Sequence, residues 1–479
     1  MLDILPFILV AILATIATLA ILAAMPIAGS IAKWRGEVLL TLLPYCMIGP
    51  GILSVIISGR DLGYAIVSTP TAETRNPFLT WIVRFVSVYL LLASSHVVFS
   101  EFSKNFAPRR SLFLAFVCLW LTTALAPAML SAHPELSHEY FYCLFIGAGL
   151  ILMSGASGHR LVCDARSAIV IFVLCGLIVI PIKPSMVLDL GYSRGIIPGV
   201  ARFAGFASHP VSMGLISAVG LLCWFTERYE KSWQNAAALT VLVLGLFLAQ
   251  SKTGWIAAFT SMAIMRAFSD LRGLVTDPWR ASHRFFWMAV IAVVMAIATI
   301  FVGLTVSDVL LSKLTSFSHS ASGAQLMSLT GRDVIWAAAL QEWRAHPVFG
   351  YGPSLFDEYY RILIGMPFAA HGHNQIVDTL ARSGSVGAFG VIVYYIMLTY
   401  WSFRVVRLSR GLSVALWMLV TLQCVSEIPL QLFRYGPENI PHFVLLGVVA
   451  SHILRRPRSG ATISKAGTAV DVPMHARHT

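Results

Sequence analysis

Residues 235–268 read NAAALTVLVLGLFLAQSKTGWIAAFTSMAIMRAF. Two apolar runs, 235 to 250 and 254 to 268, would merge but for the polar interruption Gln250-Ser251-Lys252-Thr253-Gly254. A run approaching twenty apolar residues is what a helix needs to cross a hydrocarbon layer, because in lipid the backbone polar groups must be paired within the segment itself. The stretch therefore predicts two membrane helices joined by a tight turn, and the same pattern recurs along the whole chain.

Working outward, runs of this kind lie at residues 4 to 26, 37 to 57, 78 to 99, 111 to 130, 139 to 155, 167 to 182, 211 to 226, 285 to 306, 386 to 401, 412 to 430 and 441 to 454. With the opening pair they suggest an all-α, polytopic integral membrane protein of about 12 to 13 transmembrane helices. Composition agrees: 57% hydrophobic and 12% charged residues, with mean hydropathy +0.77, exclude a soluble globular chain. The first run has no Lys or Arg ahead of it and exceeds a signal-peptide core, so it reads as a retained helix.

Basic residues resist translocation and collect in cytoplasmic loops. Of the 34 Lys and Arg, 21 fall on one side of the alternating spans, 12 on the other, and Arg84 inside a span. The richer side includes Lys104, Arg109 and Arg110, Arg160 and Arg166, Arg228 and Lys231, Arg404, Arg407 and Arg410, and the tail after residue 454. That side is assigned to the cytoplasm. The net charge of +12 is then a topology signal and a contact with anionic membrane lipids, and no basic module for nucleic acid is present.

The seven cysteines lie in or beside apolar runs without metal-ligand spacing, so neither a disulfide framework nor a Cys-based zinc site is expected. No nucleotide or metal motif is present, and neither cofactor nor metal is expected.

Polar chemistry gathers on the poorer side, in three places. The segment ending Arg202-Phe203-Ala204-Gly205-Phe206-Ala207-Ser208-His209-Pro210 holds an Arg against a membrane end, where it is costly unless it meets an anion. The Ser251-Lys252-Thr253 turn adds a cation to the free N–H groups of a helix start, an anion site. The third place is the long segment 307–385, which is too long for an idle connection.

Thr330-Gly331-Arg332-Asp333 reads as a capping box, and Ile335, Trp336, Ala339, Leu340 and Trp343 form a stripe at helical spacing. The helix should lie along the membrane surface, end at His346-Pro347 and give way to a turn over Phe349-Gly350-Tyr351-Gly352-Pro353. A second amphipathic stretch, 355 to 364, leads to His371-Gly372-His373-Asn374. Asn374 is expected to cap a helix over 375–382, with Gly384 as its stop. That pins His373 just outside a helix start, where an imidazole is equipped to act as a general base. Basic side chains at three sites, with one fixed His, describe a centre that holds a diphosphate and deprotonates a hydroxyl.

In order along the chain, Arg202-Phe203-Ala204-Gly205-Phe206 with His209-Pro210, Ser251-Lys252-Thr253, Gly331-Arg332 with Trp336, His346-Pro347 with Gly350-Tyr351-Gly352, and His373-Asn374 with Gly384 and Gly387 resemble the O-antigen ligase and polymerase superfamily. The resemblance covers about residues 200 to 400. It implies a GT-C type fold and transfer of glycan from an undecaprenyl-diphosphate carrier at the periplasmic face of the bacterial inner membrane. By resemblance His373 is the base and Arg332 and Lys252 are the diphosphate ligands; Arg202 is expected as a further diphosphate ligand, with His371 and Asn374 in support.

Two departures stand out. Lys252 replaces a common Arg, keeping charge but losing bidentate phosphate geometry. Val211 follows His-Pro where relatives often carry Asn.

The expected organisation is 1–200 for amino-terminal membrane helices, 201–454 for the catalytic region including the periplasmic segment 307–385, and 455–479 for a disordered cytoplasmic tail. The expected chemistry is a metal-independent, inverting displacement onto lipid A core or a growing polysaccharide, with a chain-length regulator as a further partner. A transporter or flippase of lipid-linked glycans is the alternative, although such proteins favour ionisable groups near the midplane.

Overall fold

The computed structural model describes residues 36–62, 76–190, 197, 199–269, 332–366 and 369–453. The expected spans 4 to 26 and 285 to 306, the tail 455–479, and residues 307–331 with Thr330 and Gly331 of the capping box lie outside the described residues.

The fold is mostly helical. Among the described residues, three helical runs, Pro77–Leu130, Gly155–Val179 and Gln375–Arg404, are long and apolar enough to cross a membrane, and five shorter apolar helices accompany them. In chain order the elements are α1 (Gly36–Thr41), α2 (Leu43–Ser58), α3 (Pro77–Trp120), a π-helical turn (Leu121–Leu125), α4 (Ala126–Leu130), α5 (Glu139–Leu152), α6 (Gly155–Val179) and α7 (Pro184–Val187). The strands β1 (Leu188–Asp189) and β2 (Arg202–Phe203) follow. Then come α8 (Pro210–Thr226), α9 (Ser232–Leu248), α10 (Lys252–Ser269), α11 (Arg332–Ala345), α12 (Glu358–Leu363), α13 (Gln375–Arg404), α14 (Leu412–Ser426) and α15 (Ile440–Ile453).

The all-α expectation needs one correction. The strands form a small antiparallel ribbon with Leu188 opposite Phe203 and Asp189 opposite Arg202. It is held by Arg60, just past α2, which donates to the carbonyls of Met186 (2.9 Å), Ala207 (2.7 Å) and Gly205 (2.5 Å). One planar guanidinium thereby satisfies three otherwise idle acceptors.

A second correction concerns residues 100–110, expected as a basic loop between spans 78 to 99 and 111 to 130. The helix runs unbroken through them. Ser94 and Phe116, 22 positions apart, nevertheless both press on α5, at Gly149 and Gly147. A straight helix would hold them roughly 33 Å apart. The run therefore bends back between them, around Pro108, which lacks a backbone donor. At the bend Asn105 donates to Leu152 O (2.7 Å) and the fully buried Arg109 to Ile151 O and Met153 O. The residues that read as a solvated basic loop cap the end of α5. Arg160 and Arg166 likewise belong to a helix, because α6 begins at Gly155.

The main core gathers α2, α3, α5, α6, α8, α9, α10, α13, α14 and α15, with Phe116, Phe172, Tyr394, Leu419 and Phe443 fully buried. A second, smaller core lies under the long segment, where Ile335 and Ala339 of α11 meet Tyr351, Leu355, Phe356, Tyr360, Ala369 and Ala381. The predicted stripe on α11 is thus confirmed as a packing face, and its neighbour is protein. The cysteines, seven in all, are free.

Candidate active site

The site is built around the peptide between His371 and His373. The Trp336 indole N–H of α11 donates to Gly372 O (2.7 Å), and Gly372 N–H donates to Asp378 Oδ1 (2.8 Å). Asp378 is itself held, its other oxygen accepting from Arg382 Nε at 3.0 Å, while Arg382 Nη1 donates to Pro353 O (2.7 Å). Asn374 caps α13 as expected, its Oδ1 accepting from Ile376 N (3.0 Å) and Val377 N (3.2 Å). Gly384 breaks α13 with φ +63° and ψ −163°, so the expected stop is a kink after which the helix resumes.

His373 sits at φ +47°, the left-handed region that a histidine seldom occupies. Its N–H donates to His371 Nδ1 (3.1 Å), which fixes that nitrogen as an acceptor and leaves the proton of neutral His371 on Nε2. His371 Nε2 meets Glu427 Oε2 at 3.2 Å, and Glu427 Oε1 faces His373 Nδ1 at 3.8 Å. One carboxylate therefore stands between two imidazoles, with side-chain exposures of 20% for His371, 24% for His373 and 11% for Glu427.

Glu427 is the first residue past α14. Gln375 ties its loop to the histidines by accepting from Leu430 N (2.9 Å). Burial pushes the Glu427 carboxyl pKa up, but the His373 and His371 imidazoles and the Arg332 charge outweigh it and hold the group below the usual range. His371 is held neutral, its pKa pushed down to about 3 by burial, with Arg382 and Arg434 adding to the effect.

Arg332 begins α11, as expected, and its charge reaches both Glu427 and His209. His209 caps α8, its Nδ1 accepting from Val211 N (3.2 Å). Although open to the surface on one side, it is crowded by protein, and that crowding with the charges of Arg202, His373 and Arg332 pushes its pKa down to about 3.

Of the expected ligands, Arg332 is the one whose charge acts on both Glu427 and His209. Arg202 is buried (8% exposed) on β2, with Nε directed at Ala249 O (3.4 Å), and its charge acts on His209. Lys252 is exposed at the first residue of α10, where Ser251 Oγ accepts from Gly254 N (3.0 Å). That helix start packs on the backbone of Gly214, a turn beyond His209. Lys252 is therefore beside the site, while the leading charges acting on His209 are those of Arg202, His373 and Arg332.

Gly350 and Gly352 stand where backbone packs closely on backbone. A Cβ on Gly350 would strike the Arg382 carbonyl and one on Gly352 the His133 carbonyl, and Tyr351 N donates to Ala381 O (2.8 Å) while His133 N donates to Tyr351 O (2.8 Å). The motif is a strand-like wedge between the end of α4 and the first half of α13.

Sequence reasoning missed Glu427 and the part played by His209. The signal for Glu427 was present, a single carboxylate in the apolar run Cys424-Val425-Ser426-Glu427-Ile428-Pro429, which is functional by default in a membrane protein. His371, His373 and Glu427 also offer ligand atoms within 4.8 Å of one another, a geometry that could hold a metal ion. That gives the expectation of a metal-free centre a physical rival.

Residues 236–392 match the family model described as O-antigen ligase. No curated protein matches the chain. The matched stretch runs from α9 into α13 and contains Lys252, Arg332, His371, His373 and Asn374, while Arg202, His209 and Glu427 reach the site from outside it.

Proposed function

We propose that the chain, whose residues 236–392 match the O-antigen ligase family model, is a membrane glycosyltransferase that moves glycan from an undecaprenyl-diphosphate carrier to an acceptor hydroxyl at the periplasmic face of the inner membrane. The observation that carries this reading is the His371, Glu427 and His373 array with Arg332 beside it. Glu427 faces His373 Nδ1, so Nε2 is the nitrogen left to take the proton of the attacking hydroxyl. Arg332 stabilises charge building on the departing diphosphate, a charge-assisted contact of about 1.5–3 kcal/mol. Lys252, whose helix start packs on Gly214 a turn beyond His209, serves the same anion as a second, weaker ligand. The base contributes roughly 10²–10⁴ in rate.

The donor is already activated, so one displacement suffices and the anomeric centre inverts. A product that retained the donor's configuration would overturn this. Activity is expected to persist in excess chelator; loss restored by a divalent ion would transfer the His371, His373 and Glu427 set to metal chemistry.

The deciding experiment is electrophoresis of lipid-linked and surface polysaccharide from a strain lacking the chain, complemented with the unaltered protein or His373→Ala. Carrier-linked long chains accumulating with His373→Ala make the chain a ligase, and single repeats accumulating make it a polymerase. An unchanged pattern, with the variant present in the membrane at normal level, removes the glycosyl-transfer reading.

A further inference from the structure

A second group of chemistry-bearing side chains lies at the other end of α8. That helix starts beside His209 and ends at Thr226, so at ~1.5 Å per residue Glu227 stands roughly 26 Å from His209. There Glu227 meets His159 and Cys163, which are one turn apart on α6 and so share a face. His159 Nε2 lies 2.9 Å from Glu227 Oε2, Cys163 Sγ lies 3.9 Å from His159 Nδ1, and one ligand atom from each of the three lies within 4.8 Å of the others.

The loop carrying Glu227 is anchored independently of its carboxylate. Arg166 Nη1 donates to Glu227 O (2.5 Å), and its guanidinium stacks 3.5 Å from the centre of the Tyr229 ring. Tyr229 OH donates to Ser167 Oγ (3.1 Å), and Tyr229 N to Asn235 Oδ1 (2.9 Å). The carboxylate is thereby left over the His and Cys with its backbone fixed, the preorganisation a ligand set needs. The neighbouring cations are occupied: Arg160 Nε pairs with Asp164 at 3.8 Å, and Arg166 is spent on the carbonyl and the ring.

One nitrogen, one sulfur and one oxygen donor suit a borderline cation such as zinc and do not suit calcium or magnesium. We propose that His159, Cys163 and Glu227 form a zinc-class metal site, with a fourth position open to water or an outside ligand. On binding, the Cys163 thiol releases its proton to solvent, and thiolate plus carboxylate balance the dication. The three residues lie outside 236–392, so the site does not rest on the transferase reading.

The test is Co²⁺ titration of the full chain in detergent, stripped of metal and kept reduced. Expected is one equivalent of Co²⁺ bound with a near-ultraviolet thiolate-to-cobalt charge-transfer band, displaced by Zn²⁺. The His371, His373 and Glu427 set has no thiolate and cannot give that band. Cys163→Ser should abolish it, and His159→Gln, at a side chain 59% exposed, should weaken Co²⁺ binding at least about tenfold. No band at saturating Co²⁺, or the same band in Cys163→Ser, overturns the proposal. If Cys163→Ser fails to fold, unchanged Co²⁺ affinity in His159→Gln overturns it as well.

Discussion

At the scale of single residues, His373 is held where its own backbone preference would not take it. A non-glycine residue at φ +47° carries of order 1–3 kcal/mol of strain. The Trp336 and Asp378 bonds to Gly372 and the cap at Asn374 supply the constraint that keeps it there. Glu427 faces the ring's Nδ1 at 3.8 Å and leaves Nε2 to other partners. Glu427→Gln keeps the shape and removes the charge, so kcat should fall by about 10²-fold or more while substrate KM changes little. Unchanged kcat would remove Glu427 from the mechanism. Acidity offers a second residue-scale expectation. His371 has its folded pKa pushed to about 3, below the ordinary 6.5. The unfolded chain therefore takes up the proton first, and stability that is complete above about pH 6.5 declines as the pH falls toward 3. His209, also pushed to about 3, acts with the same sign, and the lowered Glu427 adds to the loss below 4.5. The unfolding midpoint, followed by tryptophan fluorescence, should drop between pH 7.5 and pH 5, and His371→Asn should flatten that drop. A midpoint that rises on acidification would contradict the buried neutral histidines.

At the scale of elements, the helix around the histidines was readable because its signals are local. An Asn side chain caps a helix wherever it stands, and a Gly is where a helix can turn to positive φ. Asn374 and Gly384 do both. Gly384 also lies against the Val348 carbonyl, with no room for a Cβ. Gly384→Ala should therefore cost about 1–3 kcal/mol, read as a lower unfolding midpoint together with lost product. A midpoint unchanged by Ala would mean that the kink is not required. Residues 100–110 were misread for the opposite reason. Their helix depends on Asn105 and Arg109 finding carbonyls at the end of α5, some 40 residues away, and no local pattern announces such partners. Glu427 was lost among apolar neighbours because its partners sit more than 50 positions earlier. Arg202, expected as a ligand from its place at a membrane end, also pairs through β2 and directs Nε at Ala249 O, partners that no local pattern announces.

At the scale of the whole molecule, three helices reach the site by one end each. α8 starts at it with His209, α13 starts beside it after His373, and α14 ends at it with Glu427. Their opposite ends carry basic residues, Arg228 and Lys231 after α8, and Arg404, Arg407 and Arg410 at and after the end of α13. Arg382, near the site end of α13, is no rival signal, since Asp378 and Pro353 O already engage it. From the Gly384 kink to Arg404, α13 has about 20 residues, or ~30 Å of helix, the thickness of a hydrocarbon core. One crossing's length of helix therefore separates the histidines from the Arg404, Arg407 and Arg410 cluster, and the tendency of Lys and Arg to stay inside predicts that the site faces outside. Alkaline phosphatase fused after Ala345 should be active and fused after Arg410 inactive, with a fluorescent reporter that folds only in the cytoplasm giving the reverse. The opposite pair of results would place His373, Glu427 and Arg332 in the cytoplasm, where a carrier-linked donor displayed at the outer surface could not reach them.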